Sequence, residues 1–284
     1  MTLRHEIASH SRSCRIGIPM GVPALLLLLA MSPHASAQVG LSERWVAFDR
    51  AGAPNSPRQC FTPSNVMVSH GYLVLTTEAH ITMCRSYDLP LFFRLYTSGF
   101  VAMRNFNFLY GDVEVRARFG GGTASGSWPA IWLADASCQA SDPTGTDERC
   151  NEQEIDIAEI LAGNFGKVYQ WIHVNRFKNN DHCEPLESDT AKNFHVYGLR
   201  WSPGSLVFRI DGITTCTITR PYVPNAPMYL KISAFAGRLG GPINRDSLPW
   251  NTTVDYVKVT QGANVIFEDD FGDPAATGSR ADRR

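Results

Sequence analysis

The sequence predicts an all-β fold, a sandwich of two packed antiparallel sheets. Short runs in which apolar and polar residues alternate recur between tight-turn signals, and no stretch carries a sustained helical period. Strands that alternate in this way have one apolar face each, and a second sheet packed against the first covers it.

Residues 1–37 stand apart from that fold. Arg4, Arg12 and Arg15 precede an apolar run from Ala24 to Met31, and Ala35-Ser36-Ala37 supplies small residues just before Gln38. This is the pattern of an export signal cleaved after Ala37, and its apolar run is shorter than the ~20 residues needed to span a bilayer. Its removal deletes three Arg and one Glu, which takes the net charge from −1 to −3. A mildly acidic chain has no electrostatic footprint for nucleic acid or an anionic membrane. The expectation is a secreted monomer, extracellular or periplasmic, with one domain over residues 38–272. Residues 273–284 lack any apolar pattern and are expected to be a disordered tail.

Six cysteines remain after cleavage: Cys60, Cys84, Cys138, Cys150, Cys183 and Cys216. An even number in an exported chain reads as disulfides. Proximity in sequence favours Cys60 with Cys84, Cys138 with Cys150 and Cys183 with Cys216, and no pair has the Cys-x-x-Cys spacing of a zinc site.

The strands follow in order. Asn65 to Val68 and Tyr72 to Thr77 flank Ser69-His70-Gly71 as a hairpin. From Tyr110 to Phe119, Val113, Val115, Ala117 and Phe119 alternate with Asp112, Glu114, Arg116 and Arg118, as a half-buried strand requires. Ala136 to Asn151 is polar and bounded by Cys138 and Cys150, a stapled loop. Leu206 to Ile210 and Ile213 to Thr219 flank Asp211-Gly212, a two-residue hairpin signal.

Glu154-Ile155-Asp156-Ile157-Ala158-Glu159 places three carboxylates in six residues. Glu154 and Asp156 share a strand face, whereas Glu159, at an odd offset, would point away. A bulge at Ile157 or Ala158 would return Glu159 to the same face. Clustered carboxylates raise one another's pKa and disfavour folding, so the arrangement points to chemistry. Hydrolysis of a glycosidic bond uses such a set: one carboxylate attacks the anomeric carbon and a second, about 5 to 5.5 Å away in retaining enzymes, protonates the leaving oxygen.

The motif resembles the Glu-x-Asp-x-x-Glu signature of glycoside hydrolase family 16, in the bulged form of its laminarinase-like members. Gly126-Ser127-Trp128-Pro129-Ala130-Ile131-Trp132-Leu133 is similar to the strand that precedes that signature. Phe194-His195-Val196-Tyr197-Gly198-Leu199-Arg200-Trp201 and Val254-Asp255-Tyr256-Val257-Lys258-Val259 resemble two later blocks in the expected order. The resemblance implies a concanavalin A-like jelly roll with an open concave cleft. It further implies Glu154 as nucleophile, Asp156 as its electrostatic helper and Glu159 as general acid/base.

Trp128 and Trp132 share one strand face, and the resemblance places them in the cleft as sugar platforms. Trp171 and His173 share another face, with His173 where laminarinase-like members carry a His and Trp171 where they often carry a small residue. Asp255 falls where some relatives bind calcium, but one carboxylate is too few for an ion that takes six to eight oxygens. No metal or cofactor is expected.

The implied function is a retaining endo-glycosidase acting on a β-linked polysaccharide, with β-1,3- or mixed-linkage glucan favoured and a galactan-type polymer open. A transglycosylase on the same scaffold and a non-catalytic polysaccharide-binding protein are the alternatives. Retention of all three acids argues against the second.

Overall fold

The computed structural model describes residues 40–51, 59–84, 92–120, 125–141, 153–161, 167–174, 178–187 and 189–272. The expected export segment, Cys150 and the expected tail beyond 272 lie outside them, as does most of the expected stapled loop.

Two large sheets make up the fold, and among the described residues Thr82–Cys84 pairs with Phe92–Arg94 as a separate two-stranded sheet. Among the described residues, the first runs Trp45–Ala47, Phe100–Met103, Met228–Ala236, Ser127–Asp135, Gln153–Glu159, Lys167–Val174, Asn179–His182, with Leu186–Glu187 also on Lys167–Val174. The second runs Ile213–Thr219, Ser205–Ile210, His195–Ser202, Gly111–Phe119, Trp250–Gln261, Tyr72–Glu78, Tyr96–Ser98, Gln59–Phe61, Arg50–Ala51. Val66–Ser69 joins it on Tyr72–Glu78, and Asn264–Asp269 on Trp250–Gln261. The pairings are antiparallel except Gln59–Phe61 beside Tyr96–Ser98. This is the sandwich that the alternating strands predict, in the jelly-roll form that the resemblance implies.

Alternation fills the core. Val113, Val115, Ala117 and Phe119 are fully buried and pack in one cluster with Ile131, Leu133, Ile155, Ile172, Leu230 and Ile232 of the first sheet. Burial of this kind stabilises by about 25 cal/mol per Å² of apolar surface.

The hairpin turns are as their sequences suggest. Ser69 pairs with Tyr72 across His70 and Gly71 (φ 52° and 75°), and Ile210 with Ile213 across Asp211 and Gly212 (φ 51° and 78°). Positive φ at both central residues matches the right-handed twist of the flanking strands.

Two disulfides match the expected pairs, Cys60–Cys84 and Cys183–Cys216. Cys138 is buried and disulfide-bonded. One expectation is corrected: the segment after the Trp132 strand begins as a helix, Ala136–Ser141. Asp135 Oδ1 accepts from the Ser137 backbone N–H at 2.9 Å and caps it, and six residues are too few to show a helical period in sequence. Asp255 pairs with Arg116 at 2.7 Å. Among the described residues no helix is long and apolar enough to cross a membrane.

Candidate active site

Strand register explains how the three acids come together. Ala134 lies opposite Glu154, Trp132 opposite Asp156, Ile131 opposite Ala158 and Ala130 opposite Glu159. Ile157 has no partner in that ladder, so it is the extra residue of a bulge. Because 130, 132 and 134 alternate along a regular strand, the acids opposite them share its face. The other neighbour repeats the pattern, with His173 opposite Glu154, Trp171 opposite Asp156 and Tyr169 opposite Glu159. Ile155, Ile157 and Ala158 are fully buried, so the bulge sends apolar residues to the core and each acid to the site.

His173 ties the acids together. Its Nε2 is 3.4 Å from Asp156 Oδ2 and 4.0 Å from Glu154 Oε1, and its Nδ1 is 2.9 Å from Asn180 Oδ1. Burial opposes charge on the imidazole, but the hydrogen bond to Asp156 and the charges of Asp156 and Glu154 outweigh it and lift the pKa to about 9. One ligand atom from each of Glu154, Asp156 and His173 lies within 4.8 Å of the others, a set that a divalent cation could share. The His173–Asp156 contact accounts for both groups without an ion.

Asp156 and Glu159 are both buried, at 5% and 9% exposure. Burial, reinforced by the Glu154 charge, pushes Asp156 well above the usual carboxylate range despite the opposing bond to His173. Burial likewise raises Glu159 to about 7, against a hydrogen bond from Trp128 Nε1 that favours the ionised form. A carboxyl poised near 7 can give up a proton and take it back at neutral pH.

The aromatic residues divide into two kinds. Trp128 is 8% exposed, stacks on Phe235 with ring centroids 4.8 Å apart and gives its N–H to Glu159. Trp132 and Trp171 are half-buried on either side of Asp156. Trp132 donates to Ser233 Oγ at 3.3 Å, while Trp171 lies between His173 and His182, with centroids at 5.9 and 4.7 Å.

A model of glycosyl hydrolases family 16 matches residues 58–260. The chain belongs to this family. Family 16 relatives include the keratan-sulfate endo-1,4-beta-galactosidase of Sphingobacterium multivorum, 31% identical over 176 residues (58% of this chain, 40% of that protein). The endo-1,3-1,4-beta-glycanase ExsH of Rhizobium meliloti is 27% identical over 199 residues (67% of this chain, 38% of that protein). The chain thus spans about two fifths of the length of these relatives. A LamA variant from Z. galactanivorans, solved in complex with laminaritriose and laminaritetraose, superposes with a TM-score of 0.63 at 26% identity (77% of this chain, 92% of that one).

Sequence reasoning missed several members of the site. Tyr169 shares the Trp171 and His173 face by simple alternation and was open to detection. Lys231 is a cation within a strand of otherwise uncharged residues, 6% exposed, with Nζ 4.6 Å from the Trp132 ring centroid and 5.1 Å from that of Tyr229. Asn180 and Phe235 carry no local signal, because strand order alone brings them in, and Arg238 arrives on the loop that follows Met228–Ala236.

Proposed function

We propose that the protein is an exported retaining endo-glycosidase acting on a β-linked polysaccharide. The observation that carries this reading is the bulge at Ile157, which places Glu154, Asp156 and Glu159 on one face, with Glu159 buried and poised near neutral pH.

In the first step a Glu154 carboxylate oxygen attacks the anomeric carbon, and the bond to the leaving oxygen breaks as Glu159 protonates it. In the second, the now ionised Glu159 takes a proton from water, whose oxygen attacks the same carbon and releases Glu154 with the β configuration restored. Asp156, held by His173, stands between the two Glu in the motif and limits the charge they share. Trp132, Trp171 and His173 contact the sugar. The Trp171 Nε1 is itself buried, so what Trp171 offers a sugar is the accessible part of its ring rather than its N–H. Trp128, engaged with Glu159, offers at most an edge.

β-1,3- or mixed-linkage glucan is the favoured substrate, supported by the glycanase name of one relative and the laminari-oligosaccharides bound to the superposed structure. The galactosidase relative keeps a galactan-type polymer in view. The test is a panel of β-1,3-glucan, mixed-linkage glucan, β-1,4-galactan and keratan sulfate with reducing ends measured. Release from one class names the substrate. Tight binding with no release from any would overturn the enzyme reading in favour of a binding protein.

A further inference from the structure

Trp128 is held on more than one side. Its ring stacks on Phe235 at an interplanar angle of 28°, and the Arg238 guanidinium carbon lies 5.6 Å from its centroid, within cation–π range. Phe235 is the direct cross-strand partner of Trp128, so that contact follows from sheet register. The Arg238 contact does not. It depends on a loop with an unusual backbone.

Arg238 has φ 43°, between Gly237 at 81° and, beyond Gly240, Gly241 at 81°. A non-glycine residue at positive φ is uncommon and, in bulky side chains, strained. The loop is clamped to the start of the Trp128 strand. Gly126 N–H donates to Gly240 O and Gly237 N–H to Gly126 O, both at 2.7 Å, and Gly241 N–H donates to Arg238 O at 2.9 Å. A Cβ on Gly126 would come within 2.4 Å of Ile243 Cα, and one on Gly240 within 2.6 Å of Ser127 O. Backbone meets backbone with no room to spare, so the loop and the residue before Trp128 are placed together. Glycine would satisfy this turn more easily than arginine. The side chain therefore invites an explanation, and the ring beneath it supplies one.

We propose that Arg238 is a positioning residue for Glu159: fixed by this glycine clasp, its guanidinium covers the Trp128 indole and holds the ring where Nε1 donates to the Glu159 carboxylate. The inference rests on the reading of Glu159 as acid/base. The charged and titratable groups facing Glu159 are Glu154 and Asp156 on its own strand, His173 on the next, and Arg238 on the loop. Tyr169 lies across from it in the ladder. Glu154 favours the protonated form of Glu159, while His173, Arg238 and the Trp128 bond favour the ionised form. Loss of Arg238 removes a positive charge and loosens the indole, and both effects tighten the proton on Glu159.

The test is the pH profile of kcat/KM for Arg238→Gln and Arg238→Lys beside the wild type. The alkaline limb, where the acid loses its proton, should move to higher pH in Arg238→Gln and stay near the wild-type position in Arg238→Lys. Because Arg238 is exposed, added salt should screen its charge and move the wild-type limb the same way. A merely structural role would lower Tm and kcat while leaving the limb in place, and that result would overturn the proposal. Should Arg238→Gln fail to fold, a wild-type limb that ignores salt overturns it instead. Glu159→Gln run in parallel separates the two readings: if that variant keeps an unaltered alkaline limb, the Glu159 assignment itself has failed.

Discussion

His173 Nε2 lies 3.4 Å from Asp156 Oδ2, while its Nδ1 meets Asn180 Oδ1 at 2.9 Å, so one imidazole links the acid strand to the edge of the sheet. Replacing it with Ala leaves Asp156 buried without its cation. A charge-assisted hydrogen bond contributes about 1.5–3 kcal/mol, so His173→Ala should lower kcat by roughly ten- to a hundredfold if that energy is used in the transition state. Asn180→Ala should lower it less, in the same direction. Steady-state kinetics on the substrate that the panel identifies would check both, and an unchanged kcat for His173→Ala would remove His173 from the machinery.

Glu159 should also make stability depend on pH. Its pKa rises from 4.5 to about 7 in the fold, so its favourable contribution is fully present below pH 4.5 and is lost as pH rises through 7. Glu159→Gln has no such loss. Its Tm should therefore gain on the wild type between pH 4.5 and about 7 and hold that gain above. Thermal melts at several pH values would show it; parallel curves would mean that Glu159 is not strained by burial.

The two glutamates can be told apart by rescue. In Glu154→Ala, azide should take the place of the missing nucleophile and give an α-glycosyl azide from an activated β-glycoside. In Glu159→Ala, an aryl glycoside with a good leaving group should still form the glycosyl-enzyme, and azide should then give the β product. Product stereochemistry by NMR decides the matter, and the opposite pattern would exchange the two roles.

Cys183–Cys216 ties the segment after the Asn179–His182 edge strand to the Ile213–Thr219 edge strand of the other sheet. The Cys183 N–H also donates to Gln170 O at 3.0 Å, extending the edge ladder. Replacing both cysteines with Ser should cost about 2–4 kcal/mol of stability. It should lower kcat as well, because Asn180 and His182 lie on the released strand. Denaturant melts and kinetics on the double variant test this, and loss of stability at full kcat would show that the bridge does not reach the site.

What was legible in the sequence was whatever a short period or a short turn encodes. His70-Gly71 and Asp211-Gly212 sit in the turns their residue types demand, and the odd spacing of Glu159 from Asp156 announced a bulge that strand register then located at Ile157. What was hidden depends on which strands lie side by side. Phe235 comes to Trp128 and Lys231 to Trp132 across strand pairings about a hundred residues apart, which no local pattern records. The Ala136–Ser141 helix escaped because it is shorter than two turns.

The bulge at Ile157 also sets what insertions and deletions this lineage can survive. Losing that one residue would leave a regular strand that still pairs with both neighbours, and Glu159, then two positions after Asp156, would stay on the acid face opposite Ala130. A one-residue gap here therefore removes the kink without changing parity, whereas a second residue lost between Asp156 and Glu159 would turn Glu159 inward. Relatives that differ by one position between their second and third acids should differ in the kink of this strand, while the acids themselves occupy the same places.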